Sequence, residues 1–373
     1  MKFLFIAPRF HTNLYYQAIS LIEAGNQVKV LVLYKGVSEY YDGIDIQETG
    51  LSLPSKMLLK VVSFFRKTYL KSNLELRIQS PARALKKQLI DYKPDVIILK
   101  AYQDLLAIKV LIVAKRLNIR VFMMTQTPFA HIKGAAWLFK LNMKLFRIMG
   151  VKAYITPILS NFEAFKKAGI ENVHYLPFVY PVNTLAIKPG FDEGFNIISV
   201  GKFVKRKDLM LLVKAVEILK QKYRLRLHII GEKSDIQYFN EIQNYINENS
   251  LSPFATISTN LSYPEICGLY PQYHLFVLPA YAEPAAYSPV EAMANGLPVI
   301  CSHQNGTSCY IENGKNGFIF EAKNLENLTL QIEKLVSDRQ LWQNMSENAY
   351  KMAAENHNPL DFSNKLMHLA KLK

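Results

Sequence analysis

The segment Leu275–Cys301 constrains this chain more than any other, because it fixes the kind of sheet the chain builds. An apolar run, Leu275-Phe276-Val277-Leu278-Pro279, leads into a loop holding Glu283 and Pro284, then into Ser288-Pro289-Val290-Glu291. Ser at the N-cap, Pro at the first helical position and Glu at the third mark a helix start. Asn295-Gly296 stops that helix after about two turns. Leu297-Pro298-Val299-Ile300-Cys301 then begins another apolar strand. Strands without polar alternation, separated by a helix, predict a parallel sheet covered on both faces. Such sheets bind ligands outside the carboxyl ends of their strands. The loop carries Glu283 and the helix start carries Glu291, where unpaired backbone N–H groups attract an anion.

The same alternation runs along the rest of the chain. Lys2–Ala7, Gln27–Leu33, Asp95–Leu99 and Arg120–Met124 read as strands, with helices over Leu14–Ala24 (Asn13 as N-cap) and Leu106–Leu117. Turn residues at Val182-Asn183-Thr184 and Lys188-Pro189-Gly190 mark a break, after which strand and helix periodicity restarts at Asn196. The chain of 373 residues suits two domains. The expected fold class is α/β, with two doubly wound Rossmann-like domains bracketing a cleft: residues 1–185 and 186–357.

Composition narrows the partners. The net charge of +15 lies entirely in the first half: residues 1–180 hold 26 Lys and Arg against 11 Asp and Glu. Residues 56–120 alone hold 15 basic and 4 acidic side chains. Basic patches bind nucleic acid, anionic membranes or phosphorylated substrates, or are simply solvated surface. Within that window Leu51–Lys71 interleaves large apolar side chains with cations. It fits either a helix in an anionic membrane interface or a core helix with a basic outer face. The apolar run Phe3–Ala7 is too short for a signal peptide, and no apolar stretch approaches the roughly 20 residues of a membrane span. Cys267, Cys301 and Cys309 lack metal or redox spacing and fit a reducing compartment. No His/Cys cluster or Asp-x-Asp pair asks for a metal.

A second basic loop, Val200-Gly201-Lys202-Phe203-Val204-Lys205-Arg206-Lys207-Asp208, follows a strand end and precedes a helix. It suits a diphosphate, or is a solvated loop. Glu291 reads either as a capping-box residue or as a ligand group, and Glu283 as a loop carboxylate or a ligand group. One ligand accounts for both glutamates at once.

Residues Glu283 to Val299 resemble the donor-site motif of retaining GT-B glycosyltransferases of glycosyltransferase family 4. The matches are Glu283, Pro284, Glu291, Ala292, Met293, Ala294, Gly296, Pro298 and Val299; Ala286 stands where the family usually has Gly. The Gly201 loop is similar to the family's phosphate-binding element, with Lys202 at its Arg position, Lys207 at its Lys position and Asp208 in place of a Gly. The resemblance implies that Gly201, Lys202 and Lys207 meet the donor's phosphates. It implies that Glu291 holds ribose hydroxyls and that Glu283 holds the transferred sugar, with Ala286, Tyr287 and Ser288 completing the donor site. Ile230-Gly231-Glu232-Lys233 is similar to a strand end the family writes V-G-x-G; Lys233 replaces the second Gly and is a candidate further phosphate contact. His131 is carried as the catalytic-cleft His, although a lone His more often packs or sits on the surface. The last helix, within 358–373, is implied to cross back onto the first domain.

The function these features imply is transfer of a sugar from a nucleotide diphosphate sugar to a lipid-linked glycan or polysaccharide acceptor. The setting would be lipopolysaccharide or capsule synthesis, in the cytoplasm on the inner face of the cell membrane. No cofactor or metal is expected, the anionic membrane surface is met through residues 56–120, and nucleic acid is not a partner. A nucleotide-sugar epimerase of similar fold, or a non-catalytic basic module binding membrane or nucleic acid, are the alternatives.

Overall fold

The computed structural model of the protein describes residues 1–36, 39–65, 80–100, 105–126, 136–182, 190–191 and 194–372. The chain divides into two compact units, Met1–Pro177 with Pro359–Lys373, and Phe178–Asn358. The division falls ahead of the expected boundary at residue 185 for a local reason. The Phe178 amide donates to the Tyr310 hydroxyl at 3.2 Å, the Tyr287 hydroxyl to the Val179 carbonyl, and the Tyr180 amide to the His357 carbonyl at 2.9 Å. Residues 178–180 therefore belong to the second unit.

The first unit is a seven-stranded parallel sheet of order β3-β2-β1-β4-β5-β6-β7. Its strands are β1 (Lys2–Ala7), β2 (Gln27–Val32), β3 (Asp45–Glu48), β4 (Val96–Leu99), β5 (Arg120–Met124), β6 (Val151–Thr156) and β7 (Val173–Tyr175). The terminal helix Pro359–Lys371 belongs to this unit. Met367 accepts a hydrogen bond from Asn26 at 3.1 Å, and Arg120 donates to the Ala370 carbonyl. Asn13 does not cap the helix Tyr15–Glu23. It lies in a short 3-10 turn, and its side chain is drawn instead to Gln126 at 3.2 Å and Lys100 at 2.8 Å.

The second unit is a six-stranded parallel sheet of order β10-β9-β8-β11-β12-β13. Its strands are β8 (Phe195–Val200), β9 (Leu225–Ile230), β10 (Ala255–Ser258), β11 (Leu275–Leu278), β12 (Val299–Ser302) and β13 (Gly317–Phe320). The chain builds outward from β8 through β9 and β10, then returns to the other side of β8 for β11. The strand order therefore reverses between β8 and β11, and that is where open α/β sheets leave a crevice for ligands. Ile197, Val277 and Ile300 of the central strands pack in one core with Leu212 and Val216 of the helix Leu209–Leu219. Full burial of each such side chain contributes roughly 1.5–3 kcal/mol. This core holds the ends of β8 and β11 in fixed relation.

Candidate active site

The loops after β8 and β11 meet at the point where the strand order reverses. After β8 the chain makes a 3-10 turn, Lys205–Lys207, and enters the helix Leu209–Leu219 through Asp208. Asp208 adopts the left-handed conformation, φ 50°, so the turn forms without the glycine of the family pattern. Asp tolerates that region better than most residues. Gly201 itself leaves ordinary room, since the nearest atoms a Cβ there would meet are the Lys207 stem at 3.5 Å and Leu278 at 3.8 Å. The close approach is made by Gly231 after β9, where a Cβ would fall 1.9 Å from the Gly201 carbonyl oxygen.

Glu283 is held by its backbone. Its amide donates to the Gln304 carbonyl at 3.1 Å, and its carbonyl accepts from Gly306 at 2.9 Å. The Tyr281 amide donates to the Arg206 carbonyl at 2.9 Å, which ties this loop to the one after β8. Ala282, between them, is also left-handed, φ 50°. An alanine there is strained, and such strain is typical of functional loops. The carboxylate this backbone presents is 6% exposed and pairs with the Lys207 ammonium at 2.8 Å and with the Arg206 guanidinium, both on Oε2. Burial pushes the Glu283 carboxyl up, but the two cations outweigh it and hold it below its ordinary range. Lys207 is nearly as buried, and Arg206 is half exposed.

The two lysines named by the sequence are thus separated in their partners. Lys207 joins Glu283, whereas Lys202 pairs with Glu232 at 2.8 Å, both side chains largely open to solvent. Lys233 lies over the Phe239 ring at 4.1 Å. Arg206 is the cation the sequence reading did not single out. Only its place beside Lys207 in the basic loop pointed to it.

The helix start differs from the expected capping box. Tyr287 occupies the cap position and Ser288 is the first helical residue of Ser288–Ala294. The Ser288 hydroxyl donates to the Val200 carbonyl at 3.1 Å, so it fastens the helix to the end of β8. Glu291 bonds two tyrosines. It is 4% exposed and accepts from Tyr263 at 2.8 Å and from Tyr270 at 2.7 Å, one hydroxyl on each oxygen. Burial raises the Glu291 carboxyl above its ordinary range in spite of both bonds. Tyr263 and Tyr270 carry no local sequence signal, because they come from a helix and turn some 20 to 30 residues upstream. Ala286 is buried, and Tyr287 stacks edge-on to Phe178 at 5.5 Å. Asn295 and the left-handed Gly296 end the helix as expected. His131 lies outside the described residues.

Chemically, this arrangement is a basic loop whose Lys207 and Arg206 pair with a buried carboxylate at the reversal point of a parallel sheet. A carboxylate fixed in this way accepts hydroxyl donors, and the cations beside it favour charge building up on a leaving group.

Residues 184–352 match the family model described as Glycosyl transferases group 1. The chain is 28% identical over 166 residues to the capsular polysaccharide biosynthesis glycosyltransferase CapM of Staphylococcus aureus, covering 43% of this chain and 41% of that protein. It is 26% identical over 156 residues to the D-inositol 3-phosphate glycosyltransferase of Paenarthrobacter aurescens, covering 41% of this chain and 38% of that protein. The chain spans about two fifths of the length of these curated relatives. The crystal structure of Anabaena Alr3699/HepE in complex with UDP-glucose superposes with a TM-score of 0.74 at 14% identity, covering 100% of both chains.

Proposed function

We propose, from the premise that residues 184–352 are a glycosyl transferases group 1 domain in a chain of GT-B fold, that this protein is a retaining glycosyltransferase. Its donor is a nucleotide diphosphate sugar and its acceptor a lipid-linked glycan or polysaccharide of the cell surface. The observation that carries the reading is the Glu283 carboxylate held by Lys207 and Arg206 where the strand order reverses. Glu283 positions the sugar hydroxyls. Lys202 and Lys207 face the diphosphate and stabilise the charge that develops on it as it leaves, with the helix start at Ser288 beside them. Glu291 takes the ribose hydroxyls at the acceptor sites that Tyr263 and Tyr270 leave on its two oxygens. Protein cations take the place of a divalent metal, so no cofactor is needed. The match to a capsular glycosyltransferase supports a cell-surface glycan, such as capsule or lipopolysaccharide, as the destination.

The protein works at the inner face of the cell membrane as a peripheral protein. No helix among the described residues is long and apolar enough to cross a membrane. The basic excess of the first half supports a surface-bound state. The first unit presents the acceptor, and the second holds the donor.

The test is a panel of UDP- and GDP-sugars titrated into the full chain, followed by product analysis with acceptor glycans. One donor should bind and give a glycoside with its anomeric configuration kept. Binding of no nucleotide sugar, an inverted product, or conversion of a donor into its epimer without acceptor would each reject the assignment.

A further inference from the structure

We propose that the face shared by the helices Leu105–Arg116 and Ala136–Ile148 in the first unit docks on an anionic lipid bilayer. The proposal rests on the membrane part of the function above and is independent of the donor chemistry. Each helix buries one side, the first through Leu106, Val110 and Leu111 and the second through Met143 and Phe146. Each also leaves an apolar stripe in water: Ile108 and Ile112 on the first, Leu141, Leu145 and Ile148 on the second, from 40% to 69% exposed. Spacings of three and four residues put each stripe on one helix face. The two stripes are joined where the Lys115 ammonium donates to the Ile148 carbonyl at 3.1 Å. Between them lies an open groove of about 260 Å³, lined by Ile112, Lys115, Arg116, Ile148 and Met149.

Charge selects the occupant. Residues 105–148 contain eight Lys and Arg and no Asp or Glu. Arg116, Lys144 and Arg147 are exposed beside the apolar stripes. Aliphatic side chains flanked by cations fit a bilayer whose headgroups are anionic: the stripes enter the headgroup boundary while the cations meet phosphates. A second copy fits poorly, because a two-fold contact would set this basic face against itself. Nucleic acid fits poorly as well, since the described exposed apolar side chains here are aliphatic and offer bases no aromatic stacking surface. The helix Leu53–Phe65, which the sequence favoured, exposes Leu53 and Met57 beside Lys56 and Lys60 and is the competing site on the same unit.

The experiment is co-sedimentation of the full chain with vesicles of phosphatidylcholine alone or mixed with phosphatidylglycerol. Three variants are compared with the wild type: I112S/L145S/I148S, R116Q/K144Q/R147Q and K56Q/K60Q. All substituted side chains are exposed, and the buried ones that hold the helices to the sheet are left in place, so each variant should keep the wild-type melting temperature. The proposal expects binding to the mixed vesicles that falls with salt and is weak on phosphatidylcholine. It expects at least a tenfold loss in each triple variant and little change in K56Q/K60Q. Loss confined to K56Q/K60Q overturns the placement. Absence of wild-type binding to mixed vesicles, or equal binding to both kinds, overturns the membrane reading itself. A wild-type dimer that the triple variants dissociate, with vesicle binding unchanged, overturns the choice of partner. Nucleotide-sugar titration of the same variants reports separately on the donor site, which none of them touches.

Discussion

Replacing Lys207 by Met should destabilise the second unit far more than replacing Lys202 by Met, although both are loop lysines after the same strand. The Lys207 side chain is 9% exposed and its partner Glu283 is 6% exposed. Breaking a buried pair by removing one partner costs about 3–5 kcal/mol, because the other charge stays buried. Arg206 remains on Glu283 but is 45% exposed, so it compensates only in part. The expected loss for Lys207→Met is therefore roughly 2–4 kcal/mol. Lys202 and Glu232 are 39% and 42% exposed, which places that pair in the range of surface bridges. Its loss should cost about 0–1 kcal/mol. At roughly 2–4 °C per kcal/mol for a unit of this size, calorimetry should separate the two variants clearly. Adding Glu283→Gln to Lys207→Met should recover part of the loss, since it removes the stranded charge. Equal melting temperatures for the two lysine variants, or a double variant whose loss is the plain sum, would refute the reasoning.

Glu291 and Glu283 should give opposite pH signatures. The Glu291 carboxyl is raised by burial above its reference value of 4.5. Its contribution to stability is whole below the unfolded pKa and is lost as pH rises through the folded one. Melting of Glu291→Gln relative to wild type should therefore improve from pH 4 to pH 7, and a difference that is flat or reversed counts against a carboxyl raised by burial. Glu283 is held below the same reference value, so its contribution is present above it and fades as pH falls through the folded pKa; Glu283→Gln should cost most at neutral pH by the same melting measurement. Gly231→Ala should abolish or severely weaken folding of the second unit, whereas Gly201→Ala should melt within a few degrees of wild type; circular dichroism melts distinguish them. Turnover should continue in excess chelator, and activity that is lost and then restored by magnesium or manganese would contradict a metal-free step.

The sheets were legible because parallel strands covered on both faces read as unbroken apolar runs. Leu275–Leu278 and Phe195–Val200 are buried strands where the pattern placed them. The meeting of Lys207 with Glu283 was legible only through topology, because two segments over 70 residues apart converge when the strand order reverses between β8 and β11. What escaped the sequence is what long-range packing decides. Ser288 looks like a helix cap locally, yet the Val200 carbonyl competes for its hydroxyl. Glu291 fits a capping box by spacing, yet Tyr263 and Tyr270 take both its oxygens. Asp208 reads as a misfit for its turn, but its left-handed backbone supplies the same geometry.

The central claim is that the Gly201–Lys207 loop of the second unit receives the diphosphate of a nucleotide sugar. Calorimetric titration of UDP and GDP into the wild type and into Lys202→Ala tests it most directly, since Lys202 lies on the exposed side of the loop and its loss should leave the fold intact. The account predicts that one nucleotide binds and that Lys202→Ala weakens it by about 1–3 kcal/mol, as for loss of a charge-assisted contact. Unchanged affinity in the folded variant, or binding of neither nucleotide to the wild type, would contradict it.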